Sequence, residues 1–290
     1  MSASTMKIGA AVAYSHYTKP DFIKSSAQLI ERLGYHSMWA PEHVLFFPDY
    51  DSHYPYTEEG KVPGDPEGVL DPFTALTFVA AHTSTLRLGT GICLVPQRQP
   101  VYTAKMVADL DYLSAGRVDF GVGIGWLKEE FDNLQMSFAG RGKRTLEYLE
   151  VMQALWQNRI SEYQGETYKL APCFFNPKPI QSPHPPIFFG GESEPALRRV
   201  ASHGQGWYGY DMAPNTVAEK LQTLDKMLAE NGRSREDVAV YVGPNKHPVT
   251  KDTVAAYADC GVQQLIVLVG GRDLDGFTRR AEKMAEICGL

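Results

Sequence analysis

Cysteine is scarce in this chain: four in 290 residues, at Cys93, Cys173, Cys260 and Cys288, with none in a CxxC pair. That spacing matches no zinc pattern and is too sparse for a disulfide scaffold, so small, apolar free thiols in a reducing compartment are expected. Other signatures are missing too. HxH and HExxH spacings are absent, so no metal site is expected; GxSxG, the elbow of serine hydrolases, and GxxxxGK[ST], the ATP-type phosphate loop, do not occur. Nothing approaches the roughly 18 consecutive apolar residues of a spanning helix. Met1 to Lys7 lacks the basic-then-apolar order of a signal peptide, so a cytoplasmic location without a membrane partner is expected. Basic residues are scattered, the run Arg141, Lys143, Arg144 is short, and the net charge is -6, which leaves no electrostatic footprint for nucleic acid.

What is present is a regular alternation of short β-rich runs and longer amphipathic ones. Lys7 to Val12 reads as a first buried strand and Phe22 to Leu33 as its helix, with Ile23, Ala27, Ile30 and Leu33 on one face and Gly34 as the stop. Further strands are predicted at His36–Ala40, Leu86–Ile92, Arg117–Val122, Ile187–Phe189, Gly206–Tyr208, Val238–Val242 and Gln264–Val269. Helices are predicted from Pro72 to about His82, and at Thr103–Leu113, Thr145–Gln157, Pro195–Ser202, Thr216–Glu230, Thr253–Ala258 and Leu274–Ile287. Eight strand–helix pairs leave no linker, so residues 1–290 are expected to form one domain, a closed (β/α)8 TIM barrel of the α/β class. An open doubly wound sheet would require the second or sixth strand to be absent. Insertions are expected after strands two and four and before strand five, the last with a hairpin at Gln164-Gly165.

In such a barrel the chemistry sits at the C-terminal ends of the strands. Four places qualify. Glu42-His43 follows strand two and opens the long irregular segment Pro41 to Leu70; His43 reads as a proton-handling group or as a packing residue at a strand end. Gly91 and Ile92 follow strand three, where glycine either allows close backbone approach to a flat ring or simply makes a turn. Gly123, Gly125 and Trp126 follow strand four as a glycine-lined shelf with an aromatic residue, or as core. Gly190, Gly191, Glu192 and Ser193 precede a helix; exposed amides at a positive helix end make an anion site, and Ser193 is also an N-cap.

These residues lie in runs that resemble the bacterial luciferase-like superfamily, specifically its branch of oxidoreductases dependent on the deazaflavin coenzyme F420. The runs are LGYHSMWAPEHV, LRLGTGICLVPQRQPV, RVDFGVGIGWLKEEF, RGKRTLEYLEVMQALW and PKPIQSPHPPIFFGGESEPALRRVASHGQGW, in that order across nearly the whole chain. The resemblance implies that His43 stands near the reactive face of the cofactor ring, with Glu42 the acidic residue before it, and the two are expected to be the catalytic pair. It implies a non-prolyl cis peptide at Gly91-Ile92, a ring and ribityl shelf at Gly123, Gly125 and Trp126, and a phosphate loop at Gly190, Gly191, Glu192 and Ser193. F420 is the expected cofactor, with FMN as the alternative. The expected activity is hydride transfer to or from a small apolar organic molecule entering under Phe46, Phe47, Tyr50, Tyr54 and Tyr56. Two alternatives stay open: an FMNH2-dependent monooxygenase served by a separate flavin reductase, and a flavin-binding barrel without catalysis; a flavin or F420 reductase is the expected protein partner. A homodimer through the second and third helices is expected. Two departures are visible: relatives with a catalytic carboxylate after the shelf have Glu where Trp126 stands, and Tyr208 to Ala213 holds no basic residue where some relatives place a phosphate-binding Lys.

Overall fold

The computed structural model describes residues 6–64 and 66–290. In chain order its elements are β1 Lys7–Ala11, α1 Pro20–Arg32, β2 Ser37–Ala40, α2 Pro72–Ala80, β3 Arg87–Thr90, β4 Cys93–Leu94, α3 Pro100–Leu113, β5 Val118–Gly123, α4 Lys128–Asn133, α5 Arg141–Gln157, β6 Ser161–Gln164, β7 Lys169–Cys173, β8 Ile187–Gly190, α6 Glu194–His203, β9 Gly206–Tyr210, α7 Pro214–Glu230, β10 Ala239–Gly243, α8 Lys251–Asp259, β11 Gln264–Leu268 and α9 Leu274–Cys288. Strands β3-β2-β1-β11-β10-β9-β8-β5 lie side by side, and β5 pairs back onto β3. All of these pairings are parallel, so the sheet closes on itself as an eight-stranded (β/α)8 barrel. The expected TIM-barrel class holds, with insertions after β2 and β5 and before β8.

The elements form where local chemistry directs them. Helix α1 buries Ile23, Ala27, Leu29 and Ile30, with Pro20 in its first turn, and Gly34 beyond it adopts a φ of 85° that a residue with a side chain resists. Asp71 caps α2 by accepting the Thr74 amide at 2.9 Å. The barrel interior is aromatic: Trp39, Phe188, Tyr208 and Ile266 are buried together, and Phe188 stacks on Tyr241 at 4.3 Å. Gly89 faces this cluster because a Cβ there would stand 2.2 Å from the Trp39 ring. Each such buried side chain contributes about 1.5–3 kcal/mol over an exposed one.

The structure corrects three expected boundaries. The third strand does not run to Ile92 but stops at Thr90, and the chain resumes as the two-residue β4. The third helix starts at Pro100, because Gln99 accepts the Tyr102 amide and caps it three residues earlier than Thr103. The irregular stretch after strand four contains α4, a six-residue helix of mostly polar residues that no apolar periodicity announces.

Candidate active site at the strand ends

Glu42 and His43 leave β2 together but face different partners. Glu42 is 4% exposed and accepts from the Leu94 amide and Arg98 Nε, each at 2.5 Å. Arg98 also binds Asp71 at 2.5 Å. The expected catalytic placing of Glu42 is thereby revised: its oxygens tie the exit of β2 to the segment beyond β3, and it positions backbone.

The carboxylate that orients His43 is Glu130, on α4. Its Oε2 stands 3.0 Å from His43 Nδ1 and 3.0 Å from Gln97 Nε2, while Oε1 accepts the amides of Val44 at 2.6 Å and Leu45 at 3.0 Å. Glu130 is fully buried. Burial alone would push its carboxyl up, but the His43 and Gln97 contacts and the Leu45 amide outweigh that and hold it below the usual range. On the far side of the imidazole, Trp126 Nε1 donates to His43 Nε2 at 3.3 Å. A carboxylate at one nitrogen and an N–H at the other assign the ring proton to Nδ1 and the lone pair to Nε2. Sequence reasoning missed Glu130. The signal lay in RVDFGVGIGWLKEEF, where Glu130 sits four residues beyond Trp126.

Four of the five aromatic residues expected over the mouth gather there. Phe46 lies 4.8 Å from the His43 ring, and Tyr50 and Tyr54 meet Trp126 edge-on at 5.7 and 5.1 Å. Tyr56 meets Tyr210 at 5.0 Å. The loop carrying them is pinned by Glu129, the neighbour of Glu130, which accepts the amides of Asp51 at 2.7 Å and Ser52 at 3.1 Å.

The Gly91-Ile92 peptide is cis. Ile92 explains two glycines differently from the expected shelf: a Cβ on Gly123 would stand 2.1 Å from Ile92 Cδ1, and one on Gly190 2.6 Å. Both glycines therefore make room for Ile92, which itself packs against the Trp39, Phe188, Tyr208 and Ile266 cluster. Gly125 has a φ of 75°, and a Cβ there would press Phe131 at 2.8 Å. Its carbonyl accepts Arg141 Nε at 3.1 Å.

The Gly190–Ser193 segment divides its roles. Gly191 takes a φ of 102°, and Ser193 caps α6 through the Ala196 amide at 3.4 Å. The Glu192 carboxylate accepts from the Tyr210 amide at 2.8 Å and from the Tyr56 hydroxyl at 3.1 Å. Burial raises its carboxyl to about 7, against the pull of those two donors. The Glu192 side chain is thus committed to Tyr210 and Tyr56, which leaves the backbone of Gly190–Ser193 as the candidate anion donor of this segment. A turn of glycines before a capped helix, beside an aromatic mouth, fits a planar ring with an anionic tail.

This is a parallel barrel with its polar constellation at the strand C-termini. The chain belongs to the luciferase-like monooxygenase family, whose model matches residues 3–273. An uncharacterized protein of Mycobacterium tuberculosis is 32% identical over 265 residues, covering 90% of this chain and 92% of its own. An FMNH2-dependent dimethylsulfone monooxygenase of Pseudomonas putida is 26% identical over 237 residues, covering 80% of this chain and 59% of its own. The coenzyme F420-dependent tetrahydromethanopterin reductase of Methanopyrus kandleri has the same fold, with a TM-score of 0.75 at 17% identity over 98% of both chains. No helix among the described residues is long and apolar enough to cross a membrane.

Proposed function

We propose that this protein is an F420-dependent oxidoreductase acting on a small apolar organic substrate, with His43 as the proton-handling residue. One observation carries the reading: an imidazole locked by a buried carboxylate, its acceptor nitrogen turned toward aromatic side chains at the mouth of the barrel. The Gly190–Ser193 backbone would hold the phosphate of the cofactor, and Ile92 with Trp126 would border its ring. The bound deazaflavin supplies the two-electron chemistry, which no side chain here can provide.

The protein's own part follows from its geometry. Tyr50, Tyr54 and Tyr56 exclude water from the mouth. Once Trp126 yields its hydrogen bond, His43 Nε2 can take a proton from a substrate hydroxyl, or return one in the opposite direction. Glu130 then faces the positive charge that forms on the ring through Nδ1, and stabilises it. General acid–base help of this kind is worth about 10²–10⁴-fold.

A second reading, an FMNH2-dependent monooxygenase with a partner reductase, is favoured by the name of the Pseudomonas putida relative and by the lack of a basic residue from Tyr208 to Ala213. Separate titrations of the purified protein with F420 and FMN discriminate the two. Micromolar binding of F420 is expected, and binding of FMN alone turns the assignment to the second reading. His43→Ala is expected to bind cofactor normally and to lose about 10²–10⁴-fold in turnover; unchanged turnover removes His43 from this role.

A further inference from the structure

Successive side chains of a strand point to opposite faces, and in β11 one face is the barrel interior. Leu265 and Val267 belong to the larger core under the helices. Gln264 donates from Nε2 to Ser37 Oγ across the interior, and Ile266 is buried there with Trp39, Phe188 and Tyr208. Leu268 is the next position on that inner face, yet it is 62% exposed. A leucine that points into a barrel and still meets solvent lines the wall of its mouth. Its partner across the ladder is Ala11 of β1, which packs against the same interior cluster.

This wall is continuous with the candidate site. The Val269 amide donates to the Ala11 carbonyl at 3.0 Å, and the Val12 amide to the Trp39 carbonyl at 2.9 Å, so the ends of β11, β1 and β2 stand side by side. Neighbouring strands lie about 4.8 Å apart, which puts the Leu268 backbone about 10 Å from β2, the strand that delivers His43.

The opposite part of the lip is built differently. There Ile92 fills the space left by Gly123 and Gly190, and Tyr50, Tyr54 and Tyr56 gather against Trp126 and Tyr210. On the Leu268 side the last strand residues are Gly243, Leu268 and Ala11, none of which has a polar side chain. Gly243 leaves room for Tyr210, since a Cβ there would stand 2.9 Å from its ring. Lys246, beyond β10, is held by Asp211 at 2.7 Å. These three positions offer a carboxylate or phosphate no matching charge, whereas an alkyl chain laid on them leaves water.

We infer that Leu268, with Ala11 beside it, is the specificity wall of the site and selects an uncharged aliphatic chain as the body of the substrate. The inference rests on the proposed function for what happens at the reacting carbon; the preference of the wall for alkyl groups does not.

The test uses the full-length protein, with Leu268→Trp to fill the space in front of the wall and Leu268→Ser to remove its apolar surface. An exposed position tolerates both, so unchanged folding is expected, with melting temperature as the check. The probes are propan-2-ol, butan-2-ol, hexan-2-ol and octan-2-ol, with octanoate as an anion of similar length. Binding is read by saturation-transfer NMR, with and without F420. Each methylene buried on the wall contributes about 0.8 kcal/mol, or roughly fourfold in affinity. Wild type is expected to bind more tightly as the chain lengthens, and octanoate more weakly than octan-2-ol. L268W is expected to keep its affinity for propan-2-ol and to bind octan-2-ol roughly 10-fold or more weakly, the equivalent of about two buried methylenes. L268S is expected to show a shallower dependence on chain length. Equal affinity of wild type and L268W for octan-2-ol, tighter binding of octanoate than of octan-2-ol, or no binding of any alcohol in either form overturns the inference. Equal affinities together with alcohol-driven F420 reduction that still requires His43 leave the proposed function intact. Chain-length selection that depends on Leu268, in a protein that neither binds nor reduces F420, keeps the wall and rejects that function.

Discussion

Replacing Glu130 by Gln should both destabilise the protein and switch the tautomer of His43. The carboxylate serves four donors: His43 Nδ1, Gln97 Nε2, and the amides of Val44 and Leu45. A carboxamide oxygen can keep the two amides, but its NH2 then faces His43 and Gln97. Gln97 can adapt, because its Oε1 is buried without a partner and can turn to accept. His43 can accept only by moving its proton from Nδ1 to Nε2, where it meets the Trp126 N–H donor to donor. The net loss is one charge-assisted bond plus weakening of two others, about 2–3 kcal/mol. Glu130→Leu leaves every donor without an acceptor and should cost about 4 kcal/mol or more, a large share of a typical 5–15 kcal/mol stability. Urea denaturation reads the stability, and ring ¹⁵N shifts of His43 read the tautomer. The pH dependence has a definite sign. The folded carboxyl lies below its reference of 4.5, so the advantage of wild type over E130Q is full above pH 4.5 and closes as pH falls through the lowered value. An unchanged midpoint together with unchanged His43 shifts would refute the claim that Glu130 holds the imidazole.

Three further predictions rest on separate contacts. Glu192 has its carboxyl raised to about 7 from 4.5, so ionisation disfavours the fold; wild type should lose stability as pH rises from 4.5 through about 7, while Glu192→Gln stays flat in that window, as melting temperature against pH will show. Trp126→Phe removes the donor to His43 Nε2 and should cost about 1–2 kcal/mol by urea denaturation; a loss well above that would mean that packing against Tyr50 and Tyr54 dominates. Arg98→Ala leaves the buried Glu42 carboxylate without its cation and should cost about 3–5 kcal/mol; a loss under about 1 kcal/mol would show that the Leu94 amide suffices.

The barrel was legible because its signal is local and repeated. Each strand is a short apolar run and each helix carries its own apolar face, so Ile8, Leu88, Val118 and Leu265 announce themselves without reference to one another. The site was legible where a single residue type restricts the backbone: Gly191 at positive φ, Ser193 as a cap, and His43 at the end of a strand. It was not legible where the meaning of a residue is fixed by a distant partner. Glu42 and Glu192 both looked like site carboxylates from their positions. Their partners, Arg98 for the first and Tyr56 for the second, lie 56 and 136 residues away, and the fold spends both carboxylates on backbone and loop placement. Gly123 and Gly190 tell the reader that no side chain fits there; that Ile92 takes the space depends on three strand ends converging. Glu130 is the sharpest case. It sits in a six-residue polar helix with no periodicity, 87 residues from His43. In the barrel order β2 and β5 are separated by β3, so the two residues can meet only because the segments leaving those strands fold toward each other above it. A carboxylate in a polar run gains chemical meaning only when strand order brings it under a neighbouring loop, and strand order is a property of the closed sheet that no single segment encodes.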